Sequence, residues 1–273
     1  MRNFVWIVLL TVLTCGCVNN KPVDEKISKV DTVDSVTQND TLSKAKARIH
    51  FSEPDGVFSD FIFRFMQDSI YQLDRIQFPL HVVEAGKTSS IESSEWTYDS
   101  LHSVSSEYTL IFNAPEVQEL SNEQAEDKVV YEVVNLKKQQ IALYHFSYRR
   151  HHWLLTDIKK QLLNENYDDG FYSFYNQFAN DEDFQKEHIR DPFLFRTYDD
   201  DNFEEIEGWV PAIQWPDYRT YLPTETVNNT IYGSNQPQSP YRTFVICSPS
   251  TGMNCTLVFK HLKTTWELVS VEN

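Results

Sequence analysis

The amino-acid sequence predicts an α+β protein made of two tandem units, residues 51–160 and 165–273, which follow a signal peptide and a disordered linker. Three observations support this prediction. The chain repeats itself at a spacing of 113 residues, each copy opens with apolar residues at helical spacing, and each copy ends in three strand-like segments. A helix followed by an antiparallel meander is typical of α+β domains in which a helix lies across a bent sheet.

The internal repeat is the strongest signal in the chain, and a repeat of this kind decides the architecture. Aromatic, acidic, amide and proline positions coincide between the copies without a gap. The pairs are Phe58 and Phe171, Phe61 and Phe174, Phe65 and Phe178, Asp68 and Asp181, Gln72 and Gln185, and Pro79 and Pro192. The same offset places Trp96 on Trp209 and Trp153 on Trp266. We infer a tandem duplication.

Each copy begins with an amphipathic helix, because residues 58–65 and 171–178 carry apolar side chains at positions i, i+3, i+4 and i+7. Asp68 and its counterpart in the second copy are placed to cap a second, short helix, since a carboxylate accepts unpaired backbone N–H groups there. We expect Pro79 and Pro192 to end that helix.

The back of each copy is rich in β-branched and aromatic residues separated by short polar turns, which predicts strands. The predicted strands are residues 129–134, 141–148 and 153–158, matched by 241–247, 255–262 and 266–271.

Residues 1–16 have the pattern of a signal peptide. Arg2 is positively charged, and the apolar run of residues 4–13 is shorter than the roughly 20 residues that a membrane-spanning helix needs. The segment Leu13-Thr14-Cys15-Gly16-Cys17 resembles the lipobox of bacterial lipoproteins. The resemblance implies lipidation of Cys17, which follows Gly16, with Cys15 as the alternative acceptor.

Lipidation would anchor the chain to a membrane, because each buried methylene group contributes about 0.8 kcal/mol. Val18 stands where an aspartate would retain a lipoprotein in the inner membrane, so resemblance to Gram-negative sorting signals implies the outer membrane. Both a periplasmic and a cell-surface orientation fit. The membrane is thus an expected partner.

Residues 17–50 form a polar linker after the lipidated cysteine, without aromatic side chains or periodicity before Phe51. Three Asp-Ser/Thr-aliphatic triplets in it resemble the acceptor of a general O-glycosylation system of some Gram-negative anaerobes. The resemblance implies glycans on Thr32, Ser35 and Thr41. The alternative is that these residues are simply the ordinary composition of a polar linker.

The composition argues against several function classes. Acidic residues outnumber basic ones by 40 to 24, and the net charge of -16 disfavours nucleic acid as a partner. The sequence lacks a nucleophile elbow, a phosphate loop and the usual zinc spacings, so we predict no catalytic residue, no metal site and no cofactor.

Some polar residues nevertheless need an interpretation. Asp68 and Gln72 recur in both copies, which favours a requirement of the fold over two active sites. Residues 149–152, Arg-Arg-His-His, lie in a predicted hairpin turn and are interpreted as solvated. Tyr144 and His145 are neighbours on a predicted strand, so only one of them can face a space between helix and sheet, and the pattern leaves open which one.

Cys247 and Cys255 flank a short loop between two predicted strands, and the predicted compartment is oxidising. We therefore expect a disulfide across this hairpin.

The stretch Asp-x-x-Tyr-Gln-x-x-Arg-Ile-x-Phe-Pro-Leu at residues 68–80, with the lipoprotein start, resembles the DUF4348 family of bacterial lipoproteins. The second copy departs from it, with His188 in place of Arg75 and Asp191 in place of Phe78. The resemblance covers about residues 50–273 and implies nuclear-transport-factor-2-like (NTF2-like) units, but brings no established activity.

Taken together, these features favour a non-catalytic module on the outer membrane that binds a small molecule, a glycan or another envelope protein. The alternative is a small-molecule enzyme of the isomerase, dehydratase or hydrolase type that works in a cone-shaped cavity. A third possibility is a purely structural duplication.

Overall fold

The computed structural model describes residues 54–101, 108–115, 126–166, 168–199, 201–219, 221–233, 239–248 and 253–273. The predicted signal peptide, Cys17 and the linker with Thr32, Ser35 and Thr41 lie outside these ranges. Among the described residues, no helix combines the length and apolar character that crossing a membrane requires. We call residues 54–162 the first half and residues 168–273 the second half.

Each half begins with a pair of helices. The helices of the described ranges are α1 (Phe58–Gln67), α2 (Ser69–Asp74), α3 (Asp169–Asn180), α4 (Glu182–Glu187) and α5 (Trp215–Tyr218). Asp68 accepts hydrogen bonds from the backbone N–H groups of Ile70 and Tyr71, and Asp181 accepts the two equivalent bonds at the start of α4. The predicted caps are confirmed.

The strands follow the helix pair in each half. In the first half they are β1 (Ile76–Glu84), β2 (Lys87–Ile91), β3 (Tyr108–Phe112), β4 (Lys128–Asn135), β5 (Gln140–Arg149) and β6 (His152–Leu162). In the second half they are β7 (Ile189–Asp199), β8 (Glu204–Val210), β9 (Thr226–Tyr232), β10 (Tyr241–Ser248), β11 (Met253–His261) and β12 (Trp266–Glu272).

The expected role of the two prolines was wrong. Pro79 and Pro192 lie inside β1 and β7, each after a cis peptide bond. The short helices end earlier, because Ile76 and Ile189 already pair with β6 and β12, respectively.

The strands form two mixed six-stranded sheets. The first has the order β2-β1-β6-β5-β4-β9, and the second has the order β3-β10-β11-β12-β7-β8. β1 runs parallel to β6 and β7 runs parallel to β12, while the other neighbours are antiparallel. The sheets are therefore not purely antiparallel as expected, because the strand after each helix pair returns beside the last strand of its half.

Two strands are exchanged between the halves. β9 completes the first sheet beside β4, and β3 completes the second sheet beside β10. The side chain of Thr109 in β3 donates to the Asn228 carbonyl in β9 at 2.8 Å and accepts from the Asn228 N–H at 2.7 Å. Neither sheet is complete without a strand from the other half.

The aromatic cores repeat with nearly the same geometry. In the first half, Phe58 lies 5.0 Å from Trp153 and Phe65 lies 5.3 Å from Phe146, measured between ring centroids. The equivalent distances in the second half are 5.1 Å from Phe171 to Trp266 and 5.3 Å from Phe178 to Phe259. This agreement supports the inferred duplication.

The repeat spacing changes within the second half. Leu80 pairs with Ile91 across β1 and β2, whereas Phe193 pairs with Val210 across β7 and β8. The β7–β8 hairpin is therefore six residues longer than the β1–β2 hairpin. After this hairpin, equivalent residues of the two halves are 119 positions apart, and from β10 onward they are again 113 positions apart.

This change corrects the pairing of one tryptophan. The indole N–H of Trp96 donates to Gln72 at 3.1 Å, and the equivalent bond in the second half comes from Trp215 to Gln185 at 2.8 Å. Trp209, which the constant offset had paired with Trp96, is exposed on β8 instead. Its match at 113 was a coincidence of composition.

Candidate functional site

A cleft of about 430 Å³ opens on the helix-covered face of the first sheet. Its wall is a row of neighbours on β4, β5, β6 and β1, which the register places side by side. The row consists of Val133, Ala142, Lys160 and Glu84. The aromatic core around α1 fills the same face next to this row, so the cleft lies where the core ends.

Tyr144 and Asp99 form the polar floor of the cleft. The Tyr144 hydroxyl donates to the Asp99 carboxylate at 2.7 Å, and the Asp99 N–H donates to Gln72 at 2.9 Å. Burial, aided by the charge of Asp99, raises the pKa of Tyr144 above its ordinary value. Tyr144 is therefore a protonated hydrogen-bond donor at neutral pH and cannot act as a general base there.

The rest of the lining consists of charged, amide and apolar side chains. Lys138 and Glu165 contribute charges of opposite sign, and Gln140 and Gln161 contribute amides. The buried Oε1 atom of Gln161 has no hydrogen-bond partner among the described residues. Such a lining offers donors, acceptors and an apolar wall to one small ligand.

Among the described residues, apolar side chains fill the equivalent region of the second half. Tyr218 of α5, which corresponds to Asp99 at the spacing of 119, packs edge-on against Phe193 and Phe195 at 6.0 and 4.7 Å. A buried Leu257 stands in the place of Tyr144. The duplication has thus kept a polar cleft in one half and packed the other with apolar side chains.

Buried ion pairs anchor both helix pairs. Arg75 binds Asp55 through Nε at 3.0 Å, and Arg242 binds Asp168 through Nε at 2.8 Å and Nη2 at 2.9 Å. The two aspartates are equivalent, but the arginines come from different elements, since His188 replaces Arg75 in the second half. These charges are satisfied within the fold, and neither pair lines the cleft.

A buried carboxylate, Glu132, lies on the opposite face of β4, where the halves meet. It accepts hydrogen bonds from Tyr172 at 2.8 Å, Asn229 at 3.1 Å and Asn166 at 3.3 Å. Burial raises the pKa of Glu132 above its ordinary value, and the hydrogen bonds oppose that rise. Its three donors come from the second half or the segment that leads into it, so Glu132 joins the halves.

The repeated pattern of Asp68 and Gln72 serves the fold. Asp68 caps α2, and the Gln72 amide donates to the carbonyls of Phe65 and Asp99. Gln185 repeats the first of these bonds with Phe178. Gln72 nevertheless matters for the site, because it holds the backbone of Asp99 beside Tyr144.

The remaining basic and histidine candidates do not enter the cleft. His145 faces away from Tyr144 and lies 2.9 Å from Asp157. Residues 149–152 form the turn between β5 and β6, as expected, but His152 is not fully solvated, because it packs with its Nδ1 atom 3.5 Å from the Asp55 carboxylate. Within the described ranges, no group of three or more His, Cys, Asp or Glu residues is arranged to hold a metal ion.

The expected disulfide is absent from the structure. Cys255 pairs with Ile246 and Cys247 pairs with Asn254, so the two cysteine side chains leave opposite faces of the sheet. Both thiols are buried, and the Cys247 thiol lies beside the hydroxyl of Tyr108. The short loop suggested a bridge, but the one-residue difference in register prevents it.

Sequence reasoning missed Asp99, Lys160 and Glu132. Asp99 lies in an irregular segment, and the constant offset matched it with Ala212 instead of Tyr218. Glu132 did leave a signal, since it is a single charged residue within the apolar run Val-Val-Tyr-Glu-Val-Val of β4.

Comparison with known proteins agrees with the fold. The structure is similar to the crystal structure of an NTF2-like protein from Bacteroides fragilis, with a TM-score of 0.72, 29% sequence identity, and coverage of 81% of this chain and 98% of that chain. No curated protein gives a significant match. The model of the domain of unknown function DUF4348 matches residues 38–273. The chain therefore belongs to the DUF4348 family and has an NTF2-like structural relative.

Proposed function

We propose that this protein is an outer-membrane lipoprotein, anchored through Cys17, that binds a small neutral polar molecule in the first-half cleft without transforming it. The observation that carries the proposal is the asymmetry of the duplication. One half keeps a cleft with the Tyr144–Asp99 pair, while the other half fills the same region with Tyr218 and Leu257.

The lining favours a neutral, hydroxyl-rich ligand such as a mono- or disaccharide. Lys138 and Lys160 are offset by Glu84, Asp99 and Glu165, so the cleft has no strong field for a charged ligand. Its volume falls within the range of about 300–1,000 Å³ that small-molecule sites occupy. The amides and Asp99 supply acceptors for hydroxyl groups.

Binding is tested with saturation-transfer NMR on the full chain, using N-acetylglucosamine, its dimer, maltose and cellobiose as probes. We expect at least one sugar to bind and Ala142→Trp, which fills the cleft, to abolish the signal. Thr264→Trp adds the same side chain to an exposed turn of the second half and is the matched control. Binding that Ala142→Trp leaves unchanged would exclude this cleft.

The same spectra separate binding from catalysis, because chemical conversion of a probe gives new resonances over time. A product formed by the native chain but not by Asp99→Asn would replace the binding proposal with the enzyme alternative. Failure of all four sugars to bind would contradict the proposed ligand class.

The anchor is tested separately by metabolic labelling with a palmitate analogue. We expect Cys17→Ala to lose the label and to leave the membrane fraction, whereas Cys15→Ala keeps both. The opposite result would assign the acylated residue to Cys15.

A further inference from the structure

The β7–β8 hairpin differs from its counterpart in the first half. Strands β1 and β2 are joined by the two residues Ala85 and Gly86, with Glu84 opposite Lys87. The longer hairpin continues to a last pair of Asp199 and Glu204. The chain between the paired residues Thr197 and Ile206 is therefore six residues longer than the two-residue turn of the first half, and we call residues 198–205 the extension.

The extension and the strand that follows it expose large apolar side chains. Tyr198, Phe203, Ile206 and Trp209 are 54%, 79%, 46% and 59% exposed. At a rise of about 3.3 Å per residue, the segment from Phe203 to Trp209 is about 20 Å long. The β2 edge of the first half has Lys, Thr and Ser at its exposed positions instead.

Within the described parts of the chain, β8 is the outer strand of its sheet, so one side of its backbone has no neighbouring strand there. An unpaired edge with exposed apolar residues can form backbone hydrogen bonds with a further strand, and proteins use such edges to bind extended peptides. The edge is long enough for about six residues of an extended peptide.

The charge of the hairpin indicates which kind of partner can bind there. Residues 199–207 contain six acidic residues and no basic one. Arg196 lies 3.3 Å from Glu207, and the guanidinium group of Arg190 lies over the Trp209 ring, so basic groups occur only farther from the tip. Two copies of this edge would repel each other, whereas a segment rich in Lys or Arg would be attracted.

We propose that the β7–β8 hairpin is a docking site for a cationic, extended segment of another protein, which adds as a strand to β8 and covers Phe203, Ile206 and Trp209. The acidic residues attract the segment and set its specificity, and the apolar side chains supply most of the affinity.

The test uses the full chain and a fluorescein-labelled octapeptide of alternating Lys and Val, with binding followed by fluorescence anisotropy. We expect saturable binding that weakens as salt is raised. Trp209→Ser and Phe203→Ser should each weaken binding about tenfold, because they remove exposed anchor side chains. The change of Glu204, Glu205 and Glu207 to Gln should weaken binding and flatten its salt dependence.

Two control peptides separate the contribution of charge from that of backbone hydrogen bonding. An octapeptide of alternating Glu and Val should not bind, and a Lys-Val octapeptide with alternate amides N-methylated should bind about tenfold more weakly, since it cannot complete a strand ladder. Equal binding of the methylated peptide would overturn strand addition.

The first half provides the sequence for a variant that removes the extension. Replacing residues 198–205 by Ala-Gly copies the turn of the first half and should abolish peptide binding while the chain stays folded by circular dichroism. Unchanged binding to this variant would overturn the site. Concentration-dependent dimers of the native chain in ultracentrifugation, lost in this variant, would identify a second copy as the occupant and overturn a cationic partner.

Discussion

The buried ion pair between Arg242 and Asp168 should dominate the stability of the second half. Its side chains are 10% and 5% exposed, and Arg242 makes two charge-assisted bonds to the carboxylate. Arg242→Val introduces the residue that the first half has at this position, Val129, and leaves Asp168 buried without its cation. Breaking such a pair costs about 3–5 kcal/mol.

The first half suggests how to recover the stability that Arg242→Val loses. There the cation is Arg75, whose guanidinium group lies over the Tyr71 ring, 4.7 Å from its centroid. In the second half His188 stacks on Phe184 at the equivalent positions, 3.8 Å between centroids. The double variant His188→Arg with Arg242→Val therefore recreates the first-half arrangement, and we expect it to recover about half of the loss, roughly 2 kcal/mol.

Urea unfolding at neutral pH, followed by tryptophan fluorescence and circular dichroism, measures these changes. A loss of 3–5 kcal/mol also lowers Tm by roughly 6–20 °C for a domain of this size. Arg196→Val, which breaks the exposed pair with Glu207, is the control and should cost less than about 1 kcal/mol. A double variant no more stable than Arg242→Val alone would refute the proposed equivalence of the two pairs.

Three further predictions concern the junction, the tryptophans and the exchanged strands. Because burial raises the pKa of Glu132 in the folded chain, stability should fall as pH rises through that pKa, by up to about 1.4 kcal/mol per pH unit, and Glu132→Gln should flatten this slope in urea titrations. Trp215→Ala should cost about 3–5 kcal/mol, since the side chain is buried, whereas Trp209→Ala should cost about 0.5 kcal/mol or less in the same assay. Leu110→Pro should speed amide exchange in β10, whose Val245 pairs with Leu110, and should leave β4 protected.

Each of these has a clear contrary result. If the free energy of unfolding depends on pH identically in the native chain and in Glu132→Gln, the pKa of this carboxyl does not differ between the folded and unfolded states. Equal costs for the two tryptophan variants would contradict the spacing of 119. Faster exchange in β4 after Leu110→Pro would place β3 in the first sheet.

Part of the fold follows from local pattern. The stripe of Phe58, Phe61 and Phe65 predicts α1, and the cap at Asp68 predicts α2, because both depend on residues close in sequence. The strands β4 to β6 and β10 to β12 are equally visible, since β-branched and aromatic residues mark them.

The remaining strands lack such a pattern. β2 and β8 are exposed on nearly all positions, so no apolar alternation marks them. The exchange of β3 and β9 is invisible for a different reason. Local pattern does not distinguish the equivalent neighbours of the two halves, and the contacts that favour the exchange, such as those between Thr109 and Asn228 and around Glu132, join residues far apart in sequence.

The sequence points to Tyr144 or His145 as a cavity residue, but the restriction of the cleft to the first half could not be predicted, because it depends on a difference between equivalent positions. Both halves have the same helix caps and the same aromatic core, and a duplication by itself predicts two similar cavities. The six-residue extension of β7–β8 shifts the alignment, so that Asp99 corresponds to Tyr218 and not to Ala212.

The asymmetry also separates the two sites that we propose, since each uses a feature that the other half lacks. Tyr218 and Trp215 fill the second half, and this packing supports the base of a long hairpin whose exposed side chains need no cavity. The first half has the short turn at Ala85 and Gly86, and its unfilled space remains as the cleft. Because each sheet depends on a strand from the other half, unfolding of either half would disrupt both proposed sites.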